Sequence, residues 1–112
     1  MPGGTSLGYG NIKNSFMVQL TLTPAIVNAN TTSEQTFALP GLLTIDSITV
    51  NKPSHQAGLG IVNCRASAAN TVAIEFMNNT GAGITPTAAE IYVFEINRPD
   101  GPPGAVLPSA IV

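Results

Sequence analysis

The chain has 112 residues, enough for one domain, and only 9% of them are charged, against about 25% in typical soluble domains. The formal net charge is -2 and no basic block occurs, so we expect no binding to nucleic acid. No apolar run approaches the ~18 residues that span a bilayer, so we expect no membrane partner. The first residues lack the apolar region of a signal peptide and Cys64 is the only cysteine, which indicates synthesis in a reducing cytoplasm.

The scarcity of charge also bears on the surface of the protein. Thr, Asn, Ser, Gly and Pro take the place of charged residues, and this mixture favours strands and turns. Such a surface belongs either to a neutral monomer or to a subunit that its neighbours cover. We favour the covered subunit, because charge depletion is the compositional mark of interface cores.

Alternating apolar and polar residues predict a series of β-strands, since a period of two places alternate side chains on one face of a sheet. The predicted strands are, in chain order, 16–23, 34–39, 46–50, 59–66, 71–77 and 90–96, with a short edge strand at 26–27 as a seventh candidate. Pro, Gly and Asn turns separate them, without a helical period. This all-β pattern is typical of an antiparallel β-sandwich or a small barrel.

Two of the predicted strands are apolar on both faces. We expect the strand at 59–66 to be central in its sheet and buried on both sides. The strand at 90–96 is expected to be central too, or covered by another chain. The residues that we expect in the core or in a subunit interface are Phe16, Val18, Leu20, Phe37, Ile48, Val50, Ile61, Val72, Ile74, Phe76, Val93 and Phe94.

The two ends of the chain differ from the middle in composition. Residues 1–15 are glycine-rich and predict an N-terminal arm that is flexible or ordered by a partner, before a β-sandwich domain at 16–96. Residues 97–112 are proline-rich and predict an extended C-terminal arm. This arm ends in apolar residues, so it is either a frayed end or a segment that docks in a groove or on a neighbouring subunit. We favour docking, because an apolar tail is costly to leave in water.

Residue types that carry catalysis are few and scattered. His55 and Cys64 are single residues of their kinds, but one lies in a predicted loop and the other on an apolar strand, where cysteine packs as a small hydrophobe. Glu75 and Glu95 are interpreted as exposed strand carboxylates rather than as the pair of a glycosidase. The carboxylates form no close cluster of metal ligands. We therefore expect no enzyme activity, no metal, no cofactor and no small-molecule substrate.

Two predicted loops, 51–58 and 78–89, are candidates for recognition of a glycan. Sugar platforms rely on aromatic faces, however, and the chain has no Trp and only two Tyr. The triplets that begin at Asn30 and Asn78 match the acceptor pattern for glycosylation. Without a secretory signal, we interpret both triplets as polar turns.

Several strand-and-turn strings resemble a known class of protein. They are NTTSEQTF at 30–37 before the Pro-Gly pair at 40–41, NKP at 51–53, GLGI at 58–61 and ANTVAI at 69–74. Over residues 16–96 the chain resembles small virion structural proteins of tailed bacteriophages, of the capsid decoration or cement type. The resemblance implies a β-sandwich or jelly-roll-like core and a homotrimer on the outside of the head. It carries over no catalytic residue.

The same resemblance implies a role and partners. The expected function is to decorate and stabilise the capsid by binding across subunits of the major capsid protein, with the protein itself as the second partner. The expected location is the capsid surface of the virion. The candidate oligomer or capsid interface residues are Tyr9, Ile12, Phe16, Tyr92, Phe94, Arg98, Val106, Leu107, Ile111 and Val112. The alternative is a head-fibre or tail-associated module that binds a receptor or carbohydrate through loops 51–58 and 78–89.

Overall fold

A computed structural model describes residues 10–104, and these residues form six β-strands and no helix. The strands are β1 (Ile12–Leu22), β2 (Thr31–Ala38), β3 (Ser47–Asn51), β4 (Leu59–Ala68), β5 (Thr71–Asn78) and β6 (Glu90–Pro99). All pairings are antiparallel, in a first sheet of order β1-β6-β3 and a second sheet of order β2-β5-β4. The all-β prediction is confirmed, and the two sheets form a sandwich-like arrangement. Within the described part of the chain, no helix could cross a membrane.

The chain crosses repeatedly between the two sheets. The connections β1 to β2, β2 to β3, β3 to β4 and β5 to β6 each join different sheets, and only β4 and β5 form a hairpin. Asn70 turns this hairpin with a φ of 60°, a left-handed conformation that asparagine tolerates better than most residues. Its side-chain oxygen accepts the Gly41 N–H at 2.7 Å, and its own N–H donates to the Leu42 carbonyl at 2.8 Å. The hairpin is thereby attached to the β2–β3 loop.

The core lies between the central strands of the two sheets. β5 contributes Val72, Ile74 and Phe76, and all three side chains are fully buried. β6 contributes a matching row, in which Tyr92 and Phe94 are fully buried. Burying one large apolar side chain stabilises a fold by roughly 1.5–3 kcal/mol, so these two rows supply much of the driving force for folding.

All six main predicted strands are present, and most of them extend beyond their predicted bounds. The first and last strands extend into the ranges 1–15 and 97–112, which were predicted as arms. β1 begins at Ile12 and β6 continues to Pro99, because these two residues are partners in one antiparallel ladder. The candidate strand at 26–27 is a single bridge, in which Val27 and Ile84 exchange backbone hydrogen bonds of 2.8 and 2.9 Å. The jelly-roll connection and the two terminal arms stay predictions.

The prediction for the strand at 59–66 is wrong. β4 is an edge strand that pairs with β5, and its Val62 side chain is 52% exposed. β5 takes the central place, and irregularities in the β4–β5 register near Ile61 and Ala66 break the alternation of β4. The prediction that 90–96 is central is confirmed, since β6 pairs with β1 on one side and with β3 on the other.

Candidate functional site

An apolar groove lies where β1 begins and β6 ends. At this end of the first sheet β3 stops at the Ser47–Asn97 pair, while β1 and β6 continue to the Ile12–Pro99 pair. The sheet therefore narrows to two strands, and the β2–β3 loop forms the opposite wall. We call this cavity of about 240 Å³ the end groove, and its lining residues are Phe16, Val18, Leu39, Pro40, Gly41, Leu42, Asp46, Ile96 and Arg98.

One ion pair fixes the two walls of the end groove to each other. Arg98 donates from Nε to Asp46 Oδ1 at 2.8 Å and from Nη2 to Asp46 Oδ2 at 2.7 Å, and Nη2 also donates to the Gly41 carbonyl at 2.8 Å. The Leu43 N–H adds a bond of 2.9 Å to Asp46 Oδ2. The Asp46 side chain is fully buried. The guanidinium lowers the pKa of Asp46 from its ordinary value, more strongly than burial raises it.

Some of the residues predicted to form an interface lie at the surface, some are buried in the core, and the rest lie outside the described residues. Phe16 and Arg98 line the end groove, and Phe16 is 45% exposed although it is on the core side of β1. Ile12 is exposed near the same end. Tyr92 and Phe94 are fully buried in the chain's own core, so their side chains offer no surface to a partner. The remaining candidates lie outside the described residues: Tyr9, Val106, Leu107, Ile111 and Val112.

Asp46 lines the end groove but was not singled out from the sequence. There it was treated as one of several scattered carboxylates. The available signal was that Asp46 is the only charged residue in the stretch 42–50, where a carboxylate needs a partner if it is buried. Its partner Arg98 could not be identified, because the two residues are 52 positions apart.

The loops proposed for glycan binding are attached to each other. Gln56 donates from Nε2 to the Thr85 carbonyl at 3.0 Å, and its Oε1 accepts the Thr87 N–H at 2.9 Å. Lys52 Nζ lies 3.0 Å from Glu90 Oε1, and both side chains are nearly buried. These polar groups are therefore engaged within the chain.

A buried asparagine organises the second of these loops. Asn78 donates from Nδ2 to the carbonyls of Val27 at 3.0 Å and Ala82 at 2.8 Å. Its Oδ1 accepts the Thr80 N–H at 2.9 Å and the Thr80 hydroxyl at 2.7 Å. Asn78 is fully buried, so its side chain has a structural role and is closed to glycosylation. Asn78 is the last residue of β5, and Asn79 and Thr80 follow it in the loop.

The single histidine and the single cysteine lie in different parts of the fold. His55 lies in the exposed loop before β4, whereas Cys64 faces Ile74 in the β4–β5 ladder. Burial raises the pKa of the Cys64 thiol to about 11, which keeps it protonated and a weak nucleophile at neutral pH. Among residues 10–104, no group of three or more His, Cys, Asp or Glu side chains could hold a metal ion.

A buried tyrosine hydroxyl lies in the core without a hydrogen bond. Within the described chain, the Tyr92 hydroxyl has no hydrogen-bond partner. Burial and the nearby negative charge of Glu90 raise the pKa of Tyr92 to about 12. The pKa of Glu90 is lowered by a hydrogen bond from Ser54 and by Lys52, which compensates its charge. Tyr92 is fully buried, so this hydroxyl is internal to the fold.

The outer face of the first sheet is the second exposed apolar surface. Met17 on β1 and Ile91 on β6 are 73% and 49% exposed, and Val93 lies between them along β6. Met17, Glu95 and Thr49 are partners across the three strands, so one carboxylate lies in this otherwise uncharged row. We call the surface formed by Met17, Ile91 and Val93 the outer patch.

The end groove and the outer patch both present apolar side chains at the surface. In the end groove, the only two charged groups neutralise each other. Comparisons with protein-family models, with curated proteins and with solved structures gave no match to this chain.

Proposed function

We propose that this protein is a structural protein of a tailed-phage virion, which decorates and stabilises the capsid by binding across major capsid subunits as a homotrimer. The observation that carries the proposal is the exposure of large apolar side chains on a chain in which only 9% of residues are charged. Met17 and Ile91 in the outer patch are two of these side chains. Burying such side chains against neighbours gains about 25 cal/mol per Å² of apolar surface.

The resemblance of the strand-and-turn strings to capsid decoration proteins supports the same role. An all-β scaffold that forms a symmetric oligomer suits this role as well, because several copies that each make a modest contact bind together with high avidity. The alternative, a receptor- or carbohydrate-binding module, draws little support from loops 51–58 and 78–89. Polar groups of Gln56 and Asn78 in these loops already bind other parts of the chain.

The test uses the full chain and empty heads of the phage whose genome encodes it. We expect sedimentation equilibrium to give the mass of a trimer, and added protein to raise the temperature at which the heads break open. Met17→Ser and Ile91→Ser should weaken co-sedimentation with heads while leaving the melting temperature of the free protein unchanged. Val62→Ser is the matched control, because Val62 is also exposed but lies on the edge of the other sheet.

Three results would contradict this proposal. A monomer at micromolar concentration that does not bind heads would remove the decoration role. Equal weakening by Val62→Ser and Met17→Ser would show that the outer patch is not the contact surface. Binding without any gain in the heat resistance of the heads would remove the stabilising role.

A further inference from the structure

The end groove is an open apolar cavity next to the point where the chain leaves the fold. Phe16 and Val18 form one wall on β1, and Leu39, Pro40 and Leu42 form the other. Leaving Phe16 half-exposed on the core side of a strand is unfavourable, because apolar surface in water is costly. An apolar segment that covered Phe16 in the end groove would therefore be stabilised there.

The segment at 105–112, which lies outside the described residues, has the matching chemistry. It contains no charged residue, and six of its eight residues are apolar: Ala105, Val106, Leu107, Ala110, Ile111 and Val112. Asp46 and Arg98 neutralise each other inside the groove, so an uncharged segment meets no unpaired charge there. Pro108 favours an extended backbone, which suits a narrow groove.

The distances along the chain allow this segment to reach the groove of its own chain. The last ladder pair joins Ile12 to Pro99, and Gly101 follows with a φ of 106°, a conformation that glycine adopts readily at a change of direction. Ile96, which lines the end groove, precedes Pro99 by three residues, a distance of about 10 Å along a strand. An eight-residue segment extends over about 26 Å, so it spans this distance with room for a turn at 100–104.

We propose that residues 105–112 dock in the end groove of their own chain, where they cover Phe16 and the apolar wall of the β2–β3 loop. The effective concentration of this segment near the end groove favours it over a second copy of the chain. A segment joined by a linker as short as 100–104 has an effective concentration in the millimolar range, whereas a second copy is present at micromolar concentration in dilute solution. The proposal concerns the free protein and does not depend on the capsid role.

Disulfide trapping in the full chain tests this docking. In a Cys64→Ser background, Leu107→Cys is combined with Phe16→Cys, or with Met17→Cys as the matched control. Met17 is the next residue along β1 but lies on the opposite face of the sheet, so an undocked tail would reach both positions equally. We expect the Phe16 pair to form an intramolecular disulfide on the order of tenfold faster or more, at a rate independent of protein concentration.

Other outcomes overturn the proposal. Equal rates for the Phe16 and Met17 pairs would show that the tail does not select the groove. A disulfide between two chains, formed faster at higher concentration, would assign the groove to a second copy. Should Phe16→Cys fail to fold, Pro40→Cys replaces it on the exposed rim of the other wall, with the same expected result. Because no heads are present, failure here leaves the capsid proposal standing.

Discussion

Replacing Asn78 by leucine should destabilise the fold more than its size suggests. The substitution removes four hydrogen bonds of a fully buried side chain. The Val27 carbonyl still accepts the Ile84 N–H at 2.9 Å, and the Ala82 carbonyl still accepts the Thr80 hydroxyl at 2.8 Å. Only the Thr80 N–H is left without its partner.

The magnitude follows from this difference between the four bonds. An unsatisfied N–H costs about 1–3 kcal/mol, and the bonds lost by groups with a second partner cost less, at roughly 0.5–1 kcal/mol each. Leucine offsets part of the loss because it is apolar and similar in size. We therefore expect Asn78→Leu to lower the free energy of unfolding by about 2–3 kcal/mol. For a domain of this size, that corresponds to a fall in Tm on the order of 10–20 °C.

Urea denaturation followed by circular dichroism measures the effect. The control is Asn63→Leu, the same chemical change at an exposed position of β4, which should alter stability by less than about 0.5 kcal/mol. Thr80→Val should fall between them, with a loss of about 1 kcal/mol, because it removes the hydroxyl and keeps the N–H bond to Asn78. An Asn78→Leu protein as stable as the wild type, or an Asn63→Leu protein equally destabilised, would refute the reasoning.

Three further predictions concern other parts of the fold. Arg98 lowers the folded-state pKa of Asp46 below the ordinary value of 3.8, so their pairing stabilises the fold above that pH and is lost as the pH falls through the lowered value. Arg98→Ala should therefore reduce stability at pH 7 and make the loss of stability in acid less steep, which urea midpoints between about pH 2 and 7 measure. Gly58→Ala should lower the free energy of unfolding by about 1–3 kcal/mol, since Gly58 has a φ of 83° and a Cβ there would overlap a neighbouring side chain. Gly60→Ala, where a Cβ would meet open space, should not be destabilising, and equal melting temperatures of the two variants would contradict this. Burial of Cys64, which raises its pKa to about 11, should slow its alkylation by iodoacetamide at pH 8 by about tenfold or more relative to the urea-unfolded chain, and equal rates would show that the thiol is exposed.

The local pattern was sufficient to predict strands and their faces. Val72, Ile74 and Phe76 alternate with other residues, and all three are buried in the core as predicted. Such alternation is read correctly without knowing the neighbouring strands, because side chains alternate between faces in any β-strand. The start of β1 and the end of β6 were harder to predict from the sequence, since these residues are in strands only because they pair with each other.

The local sequence pattern did not predict which strands are neighbours in a sheet. Apolar residues on both faces suggested that β4 is central, yet β5 occupies that place and Val62 is exposed. For β6 the same reasoning succeeded, because this strand does have a partner on each side. The composition of a strand thus indicates how much apolar surface it offers, while the topology decides whether another strand covers it.

Sequence by itself determined that the chain forms an all-β fold of alternating strands and is poor in charge. Tertiary structure alone decided which groups meet. It brought Asp46 to Arg98 across 52 positions, buried Tyr92 and Phe94 rather than exposing them, and left Phe16 open at the end groove. The physical reason is that strand faces follow from local backbone geometry, whereas burial and ion pairing depend on contacts between residues distant in the chain.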